Sequence, residues 1–210
     1  MHWKRLLFGA VVAAGATFAA DRAFSDDPPA PPPPPAPPPV NAPPPANAPA
    51  PQDPQSLLQP GPAQKALEAY VGNWEGKGTV KDKGMAEAMP WTSTADYSMI
   101  LGGRFLRRDE TMTVAGSQMR NVGFTGFDNV RGAVITFGMS TRSTTPVYSE
   151  GARDDARKAM VLKGEETLGP DRSRSYEIVV SDVANDRFTV EVSFDGVKTV
   201  EGTYTRKKKT

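Results

Sequence analysis

Phe188-Thr189-Val190-Glu191-Val192-Ser193-Phe194 is followed directly by Asp195-Gly196 and then by Val197-Lys198-Thr199-Val200. In the first run every second residue is large and apolar, and the residues between are polar. A period of two places Phe188, Val190, Val192 and Phe194 on one face of a half-buried β-strand. Asp-Gly then supplies the two positive-φ positions of a tight hairpin, so the next strand returns antiparallel. Upstream, Tyr176, Ile178 and Val180 line one face of a preceding strand, and Asn185 and Asp186 supply the turn between the two.

Working outward, the same pattern recurs over 74–80, 91–101, 105–114, 118–127, 133–141, 147–153 and 159–167. Together with 173–181, 187–194 and 198–206 this makes about ten short strands at near-regular spacing. An open sheet of that width would expose pairing edges, so the expected fold is all-β: an antiparallel up-and-down meander closed into a barrel. An antiparallel sandwich is the alternative. Ahead of the strands, 62–71 reads as a short helix. Pro62 suits its first turn, Leu67, Tyr70 and Val71 share a face, and Gly72 stands where a C-terminal cap is expected.

The front of the chain is different. Of the 21 prolines, 18 fall between Pro28 and Pro62. A segment of proline, alanine, asparagine and glutamine cannot build a core, and its fixed φ values favour extended polyproline II. The expected organisation is a signal peptide over 1–23, a Pro-rich disordered linker over 24–61 and one barrel domain over 62–210. Lys4 and Arg5 give the basic start, 6–20 the apolar stretch, and Thr17 and Ala19 a cleavage pattern, with Ala20 and Ala23 as alternatives. An uncleaved anchor is the rival, but Gly9 and Gly15 dilute a run shorter than the ~20 residues a spanning helix wants. Cleavage would leave no stable membrane span. The linker reads as a spacer; its alternatives are a ligand for a proline-recognising domain, or envelope or cell-wall contact.

Composition excludes several chemistries. A formal net charge of +1 lacks the basic face a nucleic-acid binder needs, and Arg206-Lys207-Lys208-Lys209 reads as a solvated tail. There is no cysteine, and the only histidine is His2, inside the expected signal peptide. The mature chain would therefore hold no thiolate nucleophile, no Ser–His triad and no ordinary transition-metal site, and no cofactor is expected.

Four stretches carry a resemblance. They are Gly72-Asn73-Trp74, Leu101-Gly102-Gly103-Arg104-Phe105-Leu106, Gly123-Phe124-Thr125-Gly126-Phe127-Asp128-Asn129 and Glu201-Gly202-Thr203-Tyr204-Thr205-Arg206-Lys207. In this order and spacing, over 66–207, they resemble the uncharacterised bacterial lipocalin-like family catalogued as domain of unknown function 1579. The resemblance implies a lipocalin-like (calycin) barrel and no established activity. It also implies that Trp74 packs at the closed end beneath Arg206, a structural pair that closes the barrel base by cation–π contact.

The densest charge cluster on a strand is Arg104, Arg107, Arg108, Asp109 and Glu110. Alternation puts Arg104, Arg108 and Glu110 with Leu106 and Met112, and Arg107 and Asp109 with Phe105. Turned inward, the first set could hold an anionic head group; the favoured reading is a charged outer face. Arg104, just after Gly102-Gly103, is the candidate singled out for function. Trp91, Tyr97, Phe137 and Tyr148 are candidate walls of an apolar pocket, with adaptable methionines as filler. Glu165-Glu166 and Asp154-Asp155 cannot converge on one atom, since neighbours on a strand point to opposite faces, and no catalytic residue is assigned. The expected function is an exported barrel binding a small apolar or amphipathic ligand. An enzyme using Asp/Glu and Arg, and a structural envelope protein with a filled barrel, are the alternatives.

Overall fold

The structure, a computed structural model, describes residues 54–208. The expected signal peptide, His2 and most of the proline-rich segment lie outside the described residues. Ten antiparallel strands follow one another: β1 (Gly72–Val80), β2 (Met89–Ile100), β3 (Phe105–Val114), β4 (Ser117–Asp128), β5 (Ala133–Ser140), β6 (Ser143–Asp154), β7 (Ala159–Gly169), β8 (Arg172–Ser181), β9 (Arg187–Phe194) and β10 (Val197–Arg206). Each pairs with its sequence neighbours, and β1 pairs with β10 through Trp74↔Arg206 to Val80↔Val200, which closes the barrel. Asp195 and Gly196 both have positive φ, as the tight hairpin requires.

The strand ends differ from expectation most at β6, which starts at Ser143 rather than beyond Pro146. A proline lacks the N–H a ladder needs. Here it falls in an irregularity of the β5–β6 register, between Gly138↔Val147 and Ser140↔Ser143. On the other side, β6 first meets β7 at Tyr148↔Glu165, so Pro146 owes no hydrogen bond there.

Before the barrel come α1 (Pro54–Leu57), α2 (Pro62–Ala66) and a 3-10 turn, Leu67–Tyr70. The expected helix over 62–71 thus tightens after its first turn and ends at Tyr70, while Gly72 already belongs to β1. Gly72 has φ +129, and a Cβ there would stand 2.7 Å from Nη1 of Arg206. Glycine at this position both permits the backbone and lets the arginine pass. Gln64 is buried and ties α2 down: its Nε2 donates to the Phe127 carbonyl at 2.9 Å and to Asn129 Oδ1 at 3.0 Å.

The interior is filled unevenly. On the β10–β1–β2–β3 side, Trp74, Val80, Trp91, Met112, Val114, Val200 and Tyr204 are buried, and Phe188 of β9 stacks on Tyr204 at 4.8 Å. Trp91 fits because Gly76 and Gly202 lack side chains; a Cβ on Gly202 would collide with the indole and one on Gly76 would stand 2.9 Å from it. On the β4–β7 side the inward positions are small, with Gly123 paired to Gly138, Thr125 to Thr136, and Thr136 to Ser149. Large side chains on one wall and small ones on the other leave space between them.

Candidate functional site

That space is a cavity of about 830 Å³. Its walls are mainly apolar, including Phe127, Val134, Leu162, Ile178, Val180 and Val190. It reaches the surface at the helix-bearing end, where Ala63, Ala66 and Tyr70 face Arg153 at the end of β6 and Lys158 and Val183 from the turns after β6 and β8. Arg153 and Lys158 are exposed there, Arg153 paired with Asp155 at 2.9 Å, and Asp182 lines the same rim.

Arg108 lies where the filled and open parts meet. The favoured outer-face reading is corrected here for half the cluster: Arg108 and Glu110 point inward with Leu106 and Met112. The inward turn is stable because the barrel supplies partners. Tyr204, from the last strand, donates to Glu110 Oε1 at 2.6 Å, and Asn121 Nδ2 donates to Oε2 at 3.2 Å. Arg108 Nη1 stands 3.8 Å from Glu110 Oε2, an ion pair too long for a hydrogen bond. The Glu110 side chain is wholly inaccessible, while a quarter of Arg108's side chain is accessible, and Arg108 borders the cavity. Arg107 and Asp109 do face out, paired at 2.5 Å.

Burial pushes the Tyr97 hydroxyl up to about 12; Arg108, hydrogen-bonded to it, opposes that shift and Glu110 adds to it. Burial and then Glu110 raise the Tyr204 hydroxyl well above its usual range. Burial pulls Arg108 down, but Glu110, Tyr97 and Tyr204 more than offset it and hold the guanidinium above its ordinary value. At neutral pH both phenols stay protonated and Arg108 stays charged. This corner of the cavity is a fixed donor site.

The other expected site residues are scattered. Arg104 is outside the cavity, on the β2–β3 turn, where it donates to the carbonyls of Leu101 at 3.3 Å and Leu58 at 3.0 Å. With Asn129, which donates to the Leu57 and Gln59 carbonyls, it fastens the end of the proline-rich segment to the barrel. Tyr97 lines the cavity. Trp91 is buried in the filled part, its indole N–H directed to the Thr79 and Glu201 carbonyls. Phe137 and Tyr148 are cross-strand partners, 40% and 44% exposed, on the outward side of the alternation. Phe137 borders the cavity wall, whereas the Tyr148 hydroxyl meets Arg131 and Glu150.

Trp74 and Arg206 meet as expected, but at the helix-bearing end where the cavity reaches the surface, so the pair does not close a sealed barrel base. The guanidinium lies 4.2 Å over the indole and donates to the carbonyls of Ala69, Val71 and Asn185. Sequence reasoning missed the second interior ion pair, Arg174 Nε to Glu166 Oε2 at 2.7 Å, with Arg174 3.7 Å over Phe194. It also missed the inner glycines of β4 and β5. Glycine within an otherwise alternating strand is the signal that could have exposed them. Among the described residues no group of three or more His, Cys, Asp or Glu could hold a metal ion, and no helix is long and apolar enough to cross a membrane.

A family model described as "Protein of unknown function (DUF1579)" matches residues 59–206. The chain belongs to this family. The match covers α2 and all ten strands of this DUF1579 barrel. No curated protein matches the chain. Among solved structures, Rv2717c from M. tuberculosis is similar, with a TM-score of 0.53 at 14% identity over 70% of this chain and 99% of that one. The S-type phycobiliprotein lyase CPES from Guillardia theta gives a TM-score of 0.48 at 12% identity, over 70% of this chain and 93% of that one. The likeness to Rv2717c concerns the fold alone.

Proposed function

We propose that this DUF1579 protein is a binding barrel that carries a small amphipathic molecule in its interior. The observation that carries the proposal is the cavity of about 830 Å³, apolar along most of its wall, with the inward-pointing, half-buried and charged Arg108 on one side. Ligand pockets combine apolar area with a few placed polar groups in this way. A structural barrel with a filled interior would fill the space that Gly123 and Gly138 leave, as Trp91 fills the space beside Gly202. The enzyme reading has less support, because Glu166 is engaged by Arg174 and Glu110 by Tyr204 and Asn121.

Export belongs to the same proposal. The basic start and apolar stretch of 1–23 suit a cleaved signal, and the prolines of 24–53 suit a spacer that holds the barrel away from its attachment or from the cell wall. Thermal unfolding with fatty acids, fatty alcohols and isoprenoid alcohols tests the binding proposal. A ligand at about 100 times its Kd adds about 2.7 kcal/mol, enough to raise the midpoint by several degrees. An unchanged midpoint across the whole panel would contradict it.

A further inference from the structure

We infer that the ligand's polar end is a single carboxylate seated on the Nε/Nη2 edge of Arg108, with its apolar chain running among Val134, Leu162, Ile178 and Val190. This rests on the reading of the cavity as a binding site. The geometry around Gly123 carries the inference. The point where a Cβ of Gly123 would stand is 3.4 Å from Nε of Arg108, 3.5 Å from Nη2 and 3.8 Å from Cζ. Near-equal distances to the two nitrogens, with the carbon farther away, put that point outside the Nε/Nη2 edge, oblique to the guanidinium plane. The fork therefore opens onto the place where a side chain is missing. The next inward position across the ladder, Gly138, lacks one too.

Arginine recognises planar pairs of oxygens through this edge. Arg108 also makes a hydrogen bond with Tyr97 and the 3.8 Å contact of Nη1 with Glu110. A partly buried guanidinium edge that borders a mainly apolar cavity favours an acceptor there. Glu110 also limits the charge of that acceptor. With one carboxylate already beside Arg108, a monoanion leaves the corner singly negative, while a dianionic phosphate would add a second repulsion in a poorly solvated place.

Competition binding with hexadecanoic acid, hexadecan-1-ol and hexadecyl phosphate tests this on the described chain. The acid is expected to bind at least about tenfold tighter than the alcohol and tighter than the phosphate. Arg108→Met should abolish that preference, and Gly123→Ala, which occupies the space before the fork and leaves every charge in place, should reduce it. Equal affinity of acid and alcohol would overturn the carboxylate assignment while leaving the cavity reading standing; failure of all three to bind would remove both. A tighter phosphate would also overturn it. Should Arg108→Met not fold, carboxyl-labelled hexadecanoate bound to the wild type decides by NMR. It should stay ionised to lower pH than the free acid, and a raised pKa would contradict the assignment.

Discussion

Glu110 is a carboxylate without accessible side-chain surface, and its stability depends on Tyr204, Asn121 and Arg108 being in place together. Removing it leaves the Tyr204 hydroxyl and the Asn121 amide without their acceptor and Arg108 without its counter-charge. Glu110→Ala should therefore cost about 3 kcal/mol, read as a lower urea midpoint at unchanged slope. The two buried phenols give a pH prediction. Their pKa values are raised in the folded protein, so above the unfolded value near 10 the unfolded chain binds fewer protons than the native one. Stability is fully present below pH 10 and falls as pH rises toward about 12, the value for Tyr97. The tyrosinate absorbance that Tyr97→Phe and Tyr204→Phe remove should appear together with unfolding; if both phenols ionise near 10 in protein that stays folded, their burial is wrong. Alternation along β3 was enough to sort these side chains into two faces. It could not say which face is inside, because each carries charges and apolar residues together. The partners that settle it, Asn121 and Tyr204, are far along the chain.

At the scale of elements, α2 is short and owes its position to side-chain hydrogen bonds more than to its own helical bonding. Gln64 bonds back to the Gly61 N–H at 2.7 Å while reaching the β4–β5 turn. Gln64→Ala should cost about 2 kcal/mol and speed amide exchange over residues 62–70, with the barrel amides still protected. Equal exchange at both would show that the helix and barrel open as one unit. The β1–β10 seam should behave oppositely. Gly202→Ala drives a methyl into Trp91, at a site flanked by backbone, and should destabilise the whole barrel by about 2 kcal/mol. The strands were the most legible elements, since Phe188–Phe194 and the Asp195-Gly196 turn state their geometry in residue types. The attachment of residues 57–59 to Arg104 and Asn129 was not legible, because proline-rich composition masks a contact made through backbone carbonyls.

For the whole molecule, the important feature is the asymmetry of the interior. Aromatic and methionine side chains pack one side, and glycines, serine and threonines thin the other. A closed barrel of ten strands has room for one small ligand, and this distribution leaves about 830 Å³ of it empty of protein. Barrel and family were readable from sequence, but the cavity was not, since it depends on which small residues meet across a curved wall. The most direct measurement is native mass spectrometry of the protein purified from its own host without denaturation. The account predicts a lipid-sized adduct that is released on unfolding and identified as a carboxylic acid. A clean apo mass, unchanged after incubation with long-chain acids and alcohols, would contradict it.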